Sequence, residues 1–284
     1  MADVVVVGAG IIGSSIGYQL ARHGLRDVVV LDKGMGPAEG STGASSSICR
    51  CRYTNPEVVR LAFHGQEAYG NWAEFLQIPQ PRSGLNRAGV VWMMGESADR
   101  VEEVANRLRS QGVAAQSIGG DTLEQEFPAL SACSAPFDLS GEVGHECSPG
   151  EAFLYEPDGG YADPVGANQD LIEAARSLGV EVRYRSQVTG VMKSAGKVVG
   201  VELADGSRIE SNLVINAAGP WCNQLNAMAG VELRWTLTPT RVQTVYRDWP
   251  VELGRLPVGA DASTGIYFRP ESGGQQVLIG SVLA

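Results

Sequence analysis

The chain is short of positive charge. Its 22 Lys and Arg stand against 32 Asp and Glu, a formal net charge of -10 over 284 residues. A nucleic-acid binder needs a basic footprint, so a nucleic-acid partner is excluded. Proline is sparse, at 14, and no low-complexity run occurs, so the 36 glycines point to tight turns rather than disorder. Cysteine is odd in number: Cys49, Cys51, Cys133, Cys147 and Cys222 contain no CxxC pair. Cys49 and Cys51 flank one residue, a spacing that no common zinc site uses. Free thiols in a reducing compartment are the expectation, with no metal. The apolar N-terminus lacks a basic n-region and is broken by Gly8, Gly10 and Gly13, which excludes a signal peptide and a membrane span there. A cytoplasmic protein is expected. His23, His64 and His145 form neither a Ser–His–Asp order nor a metal spacing.

What is present begins with a 44% apolar composition, enough for a large core or for two. Residues 3–7 carry a β-branched run that reads as a buried parallel strand. Ile12, Ile16 and Leu20 recur at helical spacing, and Gly24 is a natural stop. Val28 to Leu31 form a second buried strand, ending in Asp32. Helical patterning resumes from Pro56 to about Phe75. Arg87 to Met94 reads as a strand and Ser97 to Gly112 as a helix. Thr122-Leu-Glu-Gln reads as a capping box for a short helix ending near Pro128.

Asp163-Pro164 is an N-cap followed by proline at the first helical position, and Gly179 closes that helix. Val180 to Tyr184 is a strand. Val188 to Val191, Val198 to Leu203 and Arg208 to Glu210 read as an antiparallel meander with an Asp205-Gly206 turn. Leu213 to Asn216 is a further buried strand. After Val231, short alternating segments punctuated by proline suggest antiparallel sheet. The expected class is α/β (α+β overall). Two interleaved, discontinuous domains are expected, one over 1–85 and 150–230, the other over 86–149 and 231–284.

Gly8-Ala9-Gly10-Ile11-Ile12-Gly13 matches GxGxxG. The pattern alone is weak. Here it follows a strand, opens a helix, and is trailed by Asp32, 19 residues after Gly13. Gly8 permits the turn, Gly10 lets backbone approach a pyrophosphate, and Gly13 packs helix on strand. The helix N-terminus then meets the negative charge. Asp32 disfavours a phosphate on the ribose 2′ position, which leaves FAD or NAD.

Five segments in order carry a resemblance. They are VVVVGAGIIGSSIGYQLARHG with VVVLDKG, GSTGASSSICRCRYTNPEVVRLA, GGYADPVGANQDLIEAARSLGVEVR, NLVINAAGPW and GIYFRPE. Together they resemble the D-amino-acid oxidase/sarcosine oxidase superfamily of FAD-dependent oxidoreductases, most closely its sarcosine oxidase β-subunit-like branch, over essentially the whole chain. The resemblance implies a Rossmann-like FAD-binding domain interleaved with a mostly antiparallel-sheet substrate domain. It implies oxidation of the C–N bond of a small amine or amino acid, of sarcosine or N-alkyl type, by hydride transfer to flavin.

By position, the resemblance places Gly8 to Gly13, Asp32 and Lys33 at the FAD. Ser41 and Thr42, with Ser46 and Ser47, match the loop around the phosphates and flavin. Val188 matches a residue whose backbone meets the adenine, or is a plain strand residue. Ala217, Ala218 and Gly219 match a strand-end turn close to FAD, with Trp221 behind it or simply in the core. Arg50 matches an arginine that binds a substrate carboxylate, with Arg52 as the neighbour if the register is off by two. Tyr267 and Arg269 alternate on a strand, so they point to one face, and they match a strand lining the substrate side of the flavin. Family members are longer. A missing C-terminal segment, or a partner subunit completing the flavin site, is therefore expected. Two other readings stay open: a noncatalytic or truncated FAD-binding subunit, and a 2-hydroxy acid oxidase on the same fold.

Overall fold

The computed structural model describes residues 1–133, 135, 140, 142–234, 237–261 and 264–281. Val282 to Ala284 lie outside the described residues. In chain order the strands are β1 (Val4–Val7), β2 (Val28–Leu31), β3 (Ile48–Cys49), β4 (Val90–Met93), β5 (Gln116–Ile118), β6 (Phe153–Glu156), β7 (Gly160–Tyr161) and β8 (Glu181–Arg183). They continue as β9 (Val188–Ser194), β10 (Lys197–Leu203), β11 (Arg208–Glu210), β12 (Val214–Asn216), β13 (Thr244–Asp248), β14 (Val258–Asp261), β15 (Ile266–Glu271) and β16 (Gln276–Ser281). The helices are α1 (Ile11–Arg22), α2 (Pro56–Gly70), α3 (Trp72–Leu76), α4 (Ala98–Arg109), α5 (Gly120–Glu126), α6 (Pro164–Ser177) and α7 (Cys222–Met228).

Two compact units emerge, each discontinuous in sequence. The first holds residues 1–45, 71–84 and 163–240. Its parallel sheet runs β12-β1-β2-β8. The valine runs of β1 and β2 are buried almost throughout, as a parallel strand covered on both faces requires. Helices α1 and α6 pack on each other. The Asp163 side chain caps α6 by accepting from Val165 N at 2.9 Å. The meander β9-β10-β11 turns at Asp205-Gly206, where Gly206 takes φ +82°. Val5, Val29 and Leu31 of the sheet form one cluster with Val188, Val201 and Leu203 of the meander and Leu225 of α7.

Segment 71–84 is tied to α6 by Asp170, whose side chain is fully buried. Its carboxylate accepts from Trp72 Nε1 at 3.1 Å, Arg82 N at 2.9 Å, Arg82 Nη1 at 3.0 Å and Ser83 N at 3.1 Å. Burying a carboxylate is tolerated only when donors replace its water, and here four do.

The second unit holds residues 46–70, 85–162 and 241–284. Its seven-stranded sheet runs β13-β16-β15-β14-β4-β6-β5. All pairs are antiparallel except β14 with β4. Helix α4 buries Val101, Val104, Ala105 and Leu108 at helical spacing, with the Ser97 side chain as its cap.

These boundaries differ from the sequence expectation, which assigned all of 1–85 and 150–162 to the first domain. The core decides otherwise. β3 pairs with β7, and Cys51 and Val59 join the cluster of Leu108 and Leu154. Residues 231–240, expected in the second domain, belong to the first: Asn223 Nδ2 donates to Leu237 O at 3.0 Å. Three local readings also change. The helical stretch from Pro56 breaks at Asn71, whose φ of -123° and ψ of 40° leave the helix. Helix α5 starts at Gly120 with Gly119 as its N-cap, so Thr122 lies inside its first turn. The β14–β4 pair is parallel where antiparallel pairing is expected. Among the described residues no helix is long and apolar enough to cross a membrane.

Candidate cofactor site

The site of the first unit is built mostly from backbone. Gly8 follows β1 with φ +108°, and a Cβ there would lie 2.2 Å from Ala217 O. Gly13 sits one helical turn on, where a Cβ would lie 1.8 Å from Gly8 O. No side chain fits either position without moving backbone, so the turn is closed by glycine alone. Helix α1 then starts at Ile11 with no side-chain cap from Gly10. The N–H groups of its first turn have no acceptor within the helix, and the helix dipole makes that end attractive to an anion.

Asp32 holds the turn from the end of β2. Its Oδ2 accepts from Ala9 N at 2.7 Å and its Oδ1 from Gly34 N at 2.7 Å. Each oxygen keeps a lone-pair direction for a further donor. Thr42 closes the other side, accepting from Ile11 N at 3.0 Å. Lys33 Nζ lies 3.5 Å from the centre of the Trp221 ring, a cation–π contact.

These groups line a cavity of about 450 Å³, within the usual size range of ligand sites. Of the residues singled out from sequence, Gly8, Ala9, Gly10, Ile11, Ile12, Asp32, Lys33, Ser41, Thr42, Val188, Ala217, Ala218, Gly219 and Trp221 all line it. Gly13 stands behind the wall, packed on Gly8. Ser46 and Ser47 belong to the second unit and are not part of the lining. Ser47 has φ +49°, and its carbonyl accepts from Ala162 N.

Several contributors were not legible in sequence. Helix α7 supplies Gln224, Leu225 and Met228 to the wall. Its signals were Leu225 and Met228 three apart with Gly230, φ +69°, just past the end. From α6, fully buried Asn168 donates to Ala9 O at 3.1 Å and to Ser14 Oγ at 3.0 Å, while Ser14 Oγ donates to Ala9 O at 3.0 Å. The loop is thus pinned at Ala9 on both its N–H and its carbonyl.

The residue types fit a dinucleotide. The N-terminus of α1 suits a pyrophosphate, the spare acceptors of Asp32 suit ribose hydroxyls, and the wall near Val188 and Leu225 is apolar enough for a base.

The second unit holds the other candidates. Arg50 stacks on Tyr53, 4.0 Å from ring centre to guanidinium carbon, and lies 5.0 Å from the Trp92 ring. It also donates to Arg52 O. Arg52 lies 5.0 Å from the Trp92 ring, and burial lowers its basicity. Behind both sits Glu156, which is buried. It accepts from Cys51 N at 2.6 Å, Trp92 Nε1 at 2.7 Å and Arg52 N at 3.3 Å. Burial pushes its carboxyl above the ordinary value, against those donors.

Tyr267 and Arg269 do alternate on β15. Tyr267 covers Gly280 of β16, where a Cβ would meet its ring at 2.4 Å. Arg269 is only 3% exposed. Its guanidinium pairs with Glu271 at 2.7 Å, donates to Pro270 O at 2.9 Å, and stacks over Tyr161 at 4.5 Å. It is already committed inside the protein.

A family described as DAO, FAD dependent oxidoreductase, matches residues 3–282. The chain is 29% identical over 285 residues to 4-methylaminobutanoate oxidase (formaldehyde-forming) of Paenarthrobacter nicotinovorans, covering 98% of this chain and 31% of that protein. It is 26% identical over 278 residues to the mitochondrial pyruvate dehydrogenase phosphatase regulatory subunit of Mus musculus, covering 96% and 29%. Among solved structures, L-proline dehydrogenase from P. horikoshii matches with a TM-score of 0.83 at 22% identity, over 99% of this chain and 70% of that one. That last likeness is one of fold. The chain spans 31% and 29% of the length of the two curated relatives.

Proposed function

The chain belongs to the family of FAD-dependent oxidoreductases, and on that premise we propose that its first unit holds FAD and that the protein oxidises the C–N bond of a small N-alkyl amine or amino acid. The observation that carries the FAD assignment is the cavity at the β1–α1 turn, lined by Gly8 to Ile12 and by Asp32. In this reading the first turn of α1 holds the pyrophosphate, assisted by the hydroxyls of Ser41 and Thr42. Asp32 accepts from the ribose. Val188 meets the adenine, and Ala217 to Gly219 leave room for the chain of the cofactor to pass. Closure of the flavin side by a further segment or a partner subunit belongs to the same proposal.

The substrate class rests on relatives. 4-Methylaminobutanoate and L-proline, named for two of them, are both secondary amines bearing a carboxylate. Bound FAD supplies the acceptor for the electrons that leave the C–N carbon. The residues of this chain then have binding work. Arg50, held flat by Tyr53 and Trp92, is proposed to anchor the carboxylate through its two-pronged donors. Tyr267 is proposed to line the substrate side. Arg269, buried and paired with Glu271, is given a positioning role through β15 rather than a substrate contact.

A second reading is a noncatalytic FAD-binding subunit, favoured by the resemblance to a protein named as a regulatory subunit. Anaerobic addition of sarcosine, proline or a 2-hydroxy acid to the purified yellow protein separates the readings. Bleaching by an N-alkyl amino acid is the expected result. Bleaching by the hydroxy acid alone would replace the substrate class. Flavin that binds but never reduces would establish the second reading.

A further inference from the structure

Cys133, His145 and Cys147 come together far from the cofactor cavity in sequence and within the second unit. Cys133 Sγ lies 3.3 Å from His145 Nε2, and the three ligand atoms all lie within 4.8 Å of one another. The geometry points to a zinc site formed by these three side chains. Zinc bond lengths to thiolate and imidazole set ligand–ligand edges of roughly 3.6–3.8 Å in a tetrahedral centre, so small side-chain rotations complete this one. Two sulfurs and one imidazole nitrogen are a donor set that favours zinc over magnesium or calcium. A disulfide would need only the two sulfurs and gives His145 no role.

The placement of Cys133 is not accidental to a loose loop. Ala132 is buried in the cluster of Leu123, Phe127 and Phe153. Its N–H donates to Glu124 Oε1 at 2.8 Å, and its carbonyl accepts from Gly150 N at 2.8 Å. Cys133 itself pairs with Pro149 in an isolated antiparallel bridge. The backbone therefore closes the segment at its base and brings Cys147 back beside Cys133. The spacing, one Cys, then eleven residues, then His-x-Cys, matches no common zinc pattern, which is why sequence reading expected no metal.

Binding converts Zn²⁺ and two thiols into a dithiolate complex with neutral His145, and releases two protons to solvent. Among the described residues the cluster offers three ligands. The ion would cross-link the segment between 133 and 147 and add stability by mass action.

The test uses the full chain as purified, reduced and exchanged with Zn²⁺ alone, then desalted. Metal is counted by plasma mass spectrometry and its ligands are read by zinc X-ray absorption. One zinc per chain is expected, with two sulfurs at about 2.3 Å and one protein nitrogen at about 2.0–2.1 Å. Cys133→Ser and Cys147→Ser should each bring zinc to background, while His145→Ala should remove the nitrogen shell. Should either Cys variant fail to fold, the absorption spectrum of the unmodified chain decides alone. The proposal is overturned if the reduced chain keeps no zinc, if the bound zinc lacks two sulfurs, if Cys147→Ser retains as much as the unmodified chain, or if the chain forms a Cys133–Cys147 disulfide in the presence of zinc instead of binding it.

Discussion

The two units treat polarity in opposite ways. In the first, the candidate site is mostly backbone set by a few fixed partners, with Ala9 N–H held by Asp32, Ile11 N–H held by Thr42, and lone pairs to spare on the Asp32 carboxylate. In the second, the candidate side chains are largely spoken for: Arg269 by Glu271 and Tyr161, Arg50 by two aromatic rings. A surface that holds a large invariant ligand can be made of fixed backbone. A surface that chooses among small substrates must hold each side chain in place with others. The first unit should therefore be sensitive to added atoms, and the second to lost partners.

The largest expected effect concerns the buried anchor that ties segment 71–84 of the first unit to α6. Asp170→Ala leaves Trp72 Nε1 and the N–H groups of Arg82 and Ser83 without their acceptor, at a cost of about 3 kcal/mol or more. Glu173→Ala removes the other carboxylate on Arg82, which is exposed, and should change stability far less. Urea unfolding compares the two. Equal losses would show that burial of Asp170 is not what matters.

Next comes an added side chain. Gly13→Val drives atoms into Gly8 O, costs about 3 kcal/mol, and should also abolish flavin retention. Stability with flavin fully retained would break the close-packing account of the turn.

In the second unit, Glu156 supplies a pH effect. Its folded pKa is raised above the ordinary 4.5, so the folded chain holds that proton longer than the unfolded chain. Its contribution is fully present below the ordinary carboxylate range and is lost as pH rises through the raised value. Glu156→Gln should flatten that part of the stability profile measured by thermal melts, with the overall cost limited to about 1–3 kcal/mol for a mispaired donor. An unaltered profile would assign the pH dependence elsewhere.

The smallest expected effect is on substrate binding alone. Arg50→Ala should raise KM for a carboxylate substrate by roughly ten-fold or more, with little change in melting temperature. An unchanged KM would remove Arg50 from the site.

The same contrast explains how much was readable in the sequence. Glycine spacing, a following acid and β-branched runs are local signals, so the β1–α1–β2 unit, the Asp163 cap and the meander were all legible. Asn168, Ser14 and Asp170 were not, because nothing local marks a polar residue in mid-helix as the buried partner of a segment up to 159 residues away. Helix α7 was missed because a seven-residue helix carries too few turns for a periodic signal. The unit boundary at Ser46 was missed because a two-stranded ladder between residues 48–49 and 160–161 is decided by tertiary pairing. The pairing of Arg269 with Glu271 was not legible because strand periodicity gives a face and not a partner.

The central claim is that the cavity of the first unit is an FAD site. The most direct measurement is the visible absorption spectrum of the purified chain after saturation with FAD and desalting, followed by acid precipitation and identification of the released nucleotide. One FAD per chain is the predicted result, and Gly13→Val should carry none. A chain that stays colourless after exposure to FAD, or that retains NAD in its place, would contradict the account.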